Sequence, residues 1–129
     1  MIFHFFGHSN VSGTHYNTLE FTKDLNLTKE GDCIIGVKAD FDSKHLKEII
    51  QKYSDLKITI TVGEHKDEIF AKVNKWFDDD SEIVIRKSSY SSKRSLGINA
   101  DKSAKDINRD IIEKLKNPDT KGSVEVIGL

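Results

Sequence analysis

Apolar and polar residues alternate strictly from Lys57 to Val62, marking a strand with one face on a core and the other toward solvent. The same two-residue period over His15–Thr22 places Leu19 and Phe21 on one face and Thr18, Glu20 and Thr22 on the other. Cys33–Val37 is apolar without a break, as a strand covered on both faces would be. Ile2–Gly7, Glu82–Ile85, Arg94–Ala100 and Ser123–Leu129 add further strand signals. Helical spacing appears twice. Leu46, Ile49, Ile50 and Tyr53 follow an Asp42 or Ser43 start, and Ala104, Ile107, Ile111, Ile112 and Leu115 predict a second helix over Asp101–Lys116. Asp101 would cap that helix, and Pro118 would stop it. One stretch reads both ways: Ile69, Phe70, Val73, Trp76 and Phe77 fit a helix, while Ile69, Ala71 and Val73 fit a strand returning from a Gly63–Asp67 turn. The strand is favoured because it gives Lys57–Val62 a local partner. The expected architecture is α+β, a mainly antiparallel, barrel-like sheet of about eight strands with two helices packed on it, in a single domain over 1–129. Only two connections are long enough for parallel pairing through a helix.

Composition narrows the class. Of 129 residues, 36% are hydrophobic and 32% charged, with a net charge of -1, which is unlike a disordered chain and gives no general pull toward nucleic acid or membranes. A single cysteine, Cys33, excludes an internal disulfide and fits a reducing compartment. No signal peptide and no membrane-length apolar run is visible, so a cytoplasmic protein without a membrane partner is expected.

Candidate chemistry gathers near the N-terminus. His8, Asn10, Thr14 and His15 crowd a loop beside two strand signals. The two histidines, with Asp32 or Glu20 as an oxygen ligand, would suit a metal, although nothing in the spacing identifies one, or any cofactor. The same histidines would otherwise serve as acid–base groups or simply bond backbone at strand ends. Glu20 sits on the polar face of its strand, where burial would raise its pKa and fit it for proton transfer. Asp32 follows a turn glycine at a sheet edge, Cys33 is either a nucleophile or a small buried hydrophobe, and Asp40 would cap the turn into the first helix.

The second signal is basic. All three arginines lie between Arg86 and Arg109, a stretch with seven basic residues and two acidic ones. Lys87, Ser89, Arg94 and Lys102, with neighbouring Ser88 and the start of the second helix, would surround a small anionic ligand such as a phosphate or carboxylate. Alternatively Arg86 and Arg94 pair with the acidic run Asp78–Glu82, and Arg109 pairs toward the sheet. A non-catalytic RNA- or protein-binding module using the Arg86–Arg109 face is the competing functional reading, although Tyr90 is the only aromatic there to stack on a base.

Gly7–Val11, Thr14–His15, Thr18–Thr22, Leu27–Asp40 and Arg94–Arg109, taken in order, resemble a mainly archaeal family, the domain of unknown function 371. The similarity spans nearly the whole chain; Ser9 stands where members often carry proline. The resemblance implies one compact domain and supports the strand over Asp67–Asn74. It implies no activity, partner or oligomeric state, and it makes these patches the candidates for a shared site. The sequence-based expectation is a small-molecule or phosphate-ligand site with hydrolytic or acid–base chemistry, in which His8, His15, Glu20 and Asp32 act on a substrate oriented by Asn10, Lys87, Ser89, Arg94 and Lys102.

Overall fold

The computed structural model describes all residues, Met1–Leu129. Its elements in chain order are β1 (Ile2–Phe6), β2 (Thr18–Thr22), β3 (Ile34–Gly36), α1 (Ser43–Lys52), β4 (Asp55–Val62), β5 (His65–Val73), β6 (Glu82–Arg86), β7 (Ser95–Ile98), α2 (Arg109–Leu115) and β8 (Lys121–Gly128). The eight strands form one sheet in the order β1-β8-β4-β5-β7-β6-β2-β3. The class is therefore α+β, and the ambiguous stretch is a strand: β4 and β5 pair in register from Asp55↔Lys72 to Val62↔His65. Gly63 turns the hairpin at φ 59 while Glu64 keeps a negative φ, the pattern of a two-residue type II′ turn.

Pairing is antiparallel except for β2–β3 and β6–β7, which run parallel. Helices were expected to carry any parallel pair. Instead the connections 23–33 and 87–94 do so without a helix, while α1 and α2 join strands that are not neighbours. The sheet is not a closed barrel. Its edge strand β1 meets the chain just beyond β3 at a single bridge, where Phe6 and Val37 exchange two 2.8 Å backbone hydrogen bonds.

The curl brings 30 buried residues into one core, with Leu56, Ile58, Ile60 and Val62 of β4 pointing inward as their alternation requires. Phe3, Phe5, Phe21 and Phe41 form its aromatic part, with ring centroids 4.9 to 5.7 Å apart along the set. Phe5 lies against Gly36 and Gly122, where an added Cβ would stand 2.4 Å from the ring in either case.

Each helix sits at one end of the sheet. Near α1, Lys75 donates to the Ile50 carbonyl and Lys47 pairs with Asp78, both partners lying just past β5. Near α2, the His8 N–H donates to the Leu115 carbonyl and the Asn108 N–H to Asp67 at the start of β5. Asp42 caps α1 by accepting from the Lys44 N–H. Asp40 does not cap it; its carboxylate accepts instead from the His4 N–H at 2.6 Å.

The second helix is shorter than its spacing suggests. Ser103 and Asp106 form a capping box around a 3-10 turn at Ala104–Asp106. Ile107 is extended (ψ 143), and α2 restarts behind the Asn108 cap. Asp101 caps nothing: it exchanges 3.0 Å bonds with the backbone of Phe70. All five apolar positions of the helical pattern are nonetheless buried. No helix is long and apolar enough to cross a membrane.

Candidate functional site

β2 lies between β6 and β3, and every one of its residues is buried. Leu19 and Phe21 enter the core. The opposite parity carries Thr18, Glu20 and Thr22, matched across β6 by Arg86, Val84 and Glu82. An alternating strand usually leaves such a face to water. Here the connection 87–94 folds back toward it: the Arg86 guanidinium lies 4.9 Å from the Tyr90 ring and donates to the hydroxyls of Ser95 and Thr18. The buried Asn74 amide holds that connection by donating to the Ser92 and Ser95 carbonyls, at 2.9 and 2.7 Å. Polar side chains are thereby gathered in a covered layer.

Glu20 is the anomalous member of that layer. It is 5% exposed, and its only ion-pair contact is Arg94 Nη1 at 3.9 Å. That guanidinium is already committed to Glu82 at 2.5 Å. No hydrogen bond reaches the Glu20 carboxyl, yet no fully buried polar side-chain atom in the chain lacks a partner. Its oxygens therefore keep a small opening to solvent. Burial raises the carboxyl from 4.5 to about 7, the Glu82 carboxylate adds to the rise, and Arg94 and Arg86 oppose it, with Asp79 a lesser addition. The Glu20 N–H donates to the Cys33 carbonyl at 2.8 Å. Burial, then the carboxylates of Glu20 and Asp32, push the Cys33 thiol up to about 11, so it stays protonated and un-nucleophilic at neutral pH.

His15 Nδ1 accepts from the backbone N–H groups of Asn17 and Thr18, at 3.1 and 3.0 Å, and its ring stacks on Tyr16. His8 Nδ1 accepts from the Asn10 N–H at 3.0 Å. Both imidazoles thus cap local backbone, and while neutral each presents an Nε2–H donor, not a base. Asn10 donates to the Leu27 carbonyl, and the Asp32 carbonyl ties the loop by accepting from Thr14 and His15 N–H. The structure brings Glu20, Arg94 and Cys33 together, and Asp32 acts on its chain neighbour Cys33. It does not form the expected cleft joining them to both histidines. None of the three surface cavities is lined by His8, His15, Glu20 or Asp32; the largest, about 360 Å³, lies beside Phe70, Lys72 and Asp101. No three histidine, cysteine or acidic side chains are grouped to hold a metal ion.

The basic stretch is dispersed among internal partners. Lys87 pairs with Asp106 at 3.3 Å, Lys102 with Asp67, and Arg94 with Glu82. Arg109 is not an ion-pair partner. Its guanidinium donates to the carbonyls of Ala104, Ile107 and Gly13, at 2.7, 2.9 and 3.0 Å, fastening the histidine loop to the approach to α2. Ser89 is exposed on the 87–94 connection. Lys87, Lys102 and Arg94 therefore do not surround a common point, and the helical start beside Lys102 is only the 3-10 turn Ala104–Asp106. Glu82 and Arg86 were missed as neighbours of Glu20. Their parity was readable, since both stand opposite to Ile83 and Ile85, but not which strand they would face.

The family described as domain of unknown function (DUF371) matches residues 3–128. An uncharacterized protein of the archaeon Methanocaldococcus jannaschii is 46% identical over 116 residues, covering 85% of this chain and 86% of that protein. The chain belongs to this family.

Proposed function

We propose that this member of the family uses the covered polar face of β2 and β6 as a small-molecule site with acid–base chemistry, in which Glu20 carries the proton and Arg94 orients an anionic group. The observation that carries the reading is the Glu20 carboxyl, buried, free of hydrogen bonds and raised to about 7. A carboxyl near neutrality populates both protonation states and both gives and takes a proton at low cost. Strongly perturbed carboxyls of this kind gather at functional sites. Arg94 supports the second role: its side chain is 47% exposed, and only Nη1 is spent on Glu82, which leaves guanidinium N–H donors for a ligand. Hydrolytic chemistry fits the same groups, with Glu20 in place of a histidine as the base. His8, His15, Asn10 and Asp32 then hold the loops at this end of the sheet, and Lys87, Ser89 and Lys102 stand outside the ligand's first contacts.

The test is a screen of small carboxylic and phosphoric acids by amide and side-chain carboxyl NMR. Perturbations at Glu20, Cys33, Val84 and Arg94 are expected, together with a Glu20 midpoint close to neutrality. Perturbations confined to the cavity beside Phe70, with Glu20 titrating as an ordinary carboxylate, would refute the reading.

A further inference from the structure

Resting on that reading, we infer that the ligand is a small oxyanion held between Arg94 and a protonated Glu20, so that one proton is taken up from solvent with each anion bound.

Two carboxylates and two guanidiniums act on Glu20. Glu82 and Arg86 project from β6, Asp79 precedes that strand, Arg94 precedes β7, and the Cys33 thiol precedes β3. With Glu20 ionised, the carboxylates of Glu20, Glu82 and Asp79 outnumber the two guanidiniums, and Arg86 is already turned onto the Ser95 and Thr18 hydroxyls. An anion entering that state meets net repulsion. Protonation removes the excess negative charge and also reverses the hydrogen-bonding character of the group. An ionised carboxylate only accepts, whereas the acid presents an O–H donor. Glu20 O–H and an unspent Arg94 N–H, on a guanidinium whose Nη1 lies 3.9 Å from the carboxyl, then offer two donors to two oxygens of one anion. Cys33 adds no charge, because its thiol stays protonated throughout the neutral range. The Glu20 side chain is more than nine-tenths buried and its carboxyl receives no hydrogen bond from the protein, while the small opening at its oxygens lets a partner from solvent reach it.

Acetate and methanesulfonate are suitable probes, because both keep one negative charge across neutral pH. Titration calorimetry on the full chain, in buffers of different ionisation enthalpy, reads affinity and proton uptake together. Wild type is expected to bind acetate about tenfold more weakly at about pH 8 than at about pH 6, with close to one proton taken up at the higher pH. Glu20→Gln keeps an N–H donor and is expected to bind with no pH dependence and no proton uptake. Arg94→Gln is expected to lose affinity at every pH. Binding without proton uptake in wild type overturns this inference and leaves the anion site standing. No binding of either probe, with Glu20 still titrating near neutrality, overturns it and reduces the broader proposal to a proton-carrying carboxyl. No binding with an ordinary Glu20 midpoint overturns both. If Glu20→Gln fails to fold, the proton count on wild type alone decides.

Discussion

Replacing Glu20 by glutamine should stabilise the protein at neutral and alkaline pH and leave it unchanged in acid. Glutamine matches the protonated side chain in shape and removes the ionisation. Folding raises the carboxyl from 4.5 to about 7. At roughly 1.4 kcal/mol per pH unit, that rise corresponds to about 3 kcal/mol. The sign follows from which state loses its proton first. Below the unfolded value both states hold the proton, so the two proteins match. Between 4.5 and about 7 the unfolded chain ionises while the folded one resists, so wild-type stability falls as pH rises. Above that window the full cost is present, and Glu20→Gln should exceed wild type by about 3 kcal/mol, or about 10 °C in Tm for a chain of this size. Every other titrating group is common to both proteins, so the difference isolates Glu20. Urea unfolding followed by circular dichroism from about pH 4 to about pH 8.5 measures it, with equal m-values as the check that the unfolded states match. A difference that does not change with pH would refute the argument. So would a less stable variant at about pH 8, because the Arg94 attraction would then exceed the cost of burial.

Three further outcomes test the architecture around the site. Arg109→Ala should cost about 3 kcal/mol in denaturant unfolding, because three carbonyls lose a charged donor at once. Arg109→Lys should recover only part of that, since a single ammonium lacks the planar fork, and a loss under about 0.5 kcal/mol in the alanine variant would contradict the clamp. Gly122→Ala drives a methyl to 2.4 Å from the Phe5 ring and should cost about 1–3 kcal/mol. Adding Phe5→Leu should return part of it, so strict additivity in the double-mutant cycle would count against the contact. Cys33, pushed from 9.0 to about 11, should react with iodoacetamide at least about a hundredfold more slowly than a free cysteine at neutral pH. Labelling of the folded protein at the rate of a short peptide would contradict that.

Much of this was legible in the chain because periodicity reports faces. The parity of Thr18–Thr22 separated Leu19 and Phe21 from Glu20, and the parity of Ile69, Ala71 and Val73 matched the observed hairpin. Periodicity does not report partners. Nothing local says that β2 lies between β6 and β3, or that the 23–33 and 87–94 connections return parallel without a helix. That neighbourhood is what buries Glu20 on both sides and brings Arg94 to it. The second helix misled for a different reason. Ala104, Ile107 and Ile111 keep a helical spacing because all three are buried, but the Ser103–Asp106 box and the Asn108 cap each start a helix, and two starts so close interrupt one another. For the histidines, of the roles the sequence left open, the structure shows the backbone-bonding one. Backbone N–H groups two or three residues ahead had already claimed each Nδ1.

The fold gains no stability from an ionised Glu20. Buried carboxylates that hold a fold together are paired or receive several N–H donors, and the favourable bonds offset the loss of water. Asp67 in this protein does so: it accepts from the Asn108 and Glu68 N–H groups, pairs with Lys102, and has its pKa lowered. The Glu20 carboxyl receives no hydrogen bond, and its one ion-pair contact, Arg94 at 3.9 Å, is bonded more closely to Glu82. At neutral pH its ionised form weakens the fold, and an apolar side chain opposite Val84 would fill the same position without that cost. The two carboxyls contrast: hydrogen bonds and an ion pair hold Asp67 ionised, whereas burial holds Glu20 toward its protonated form.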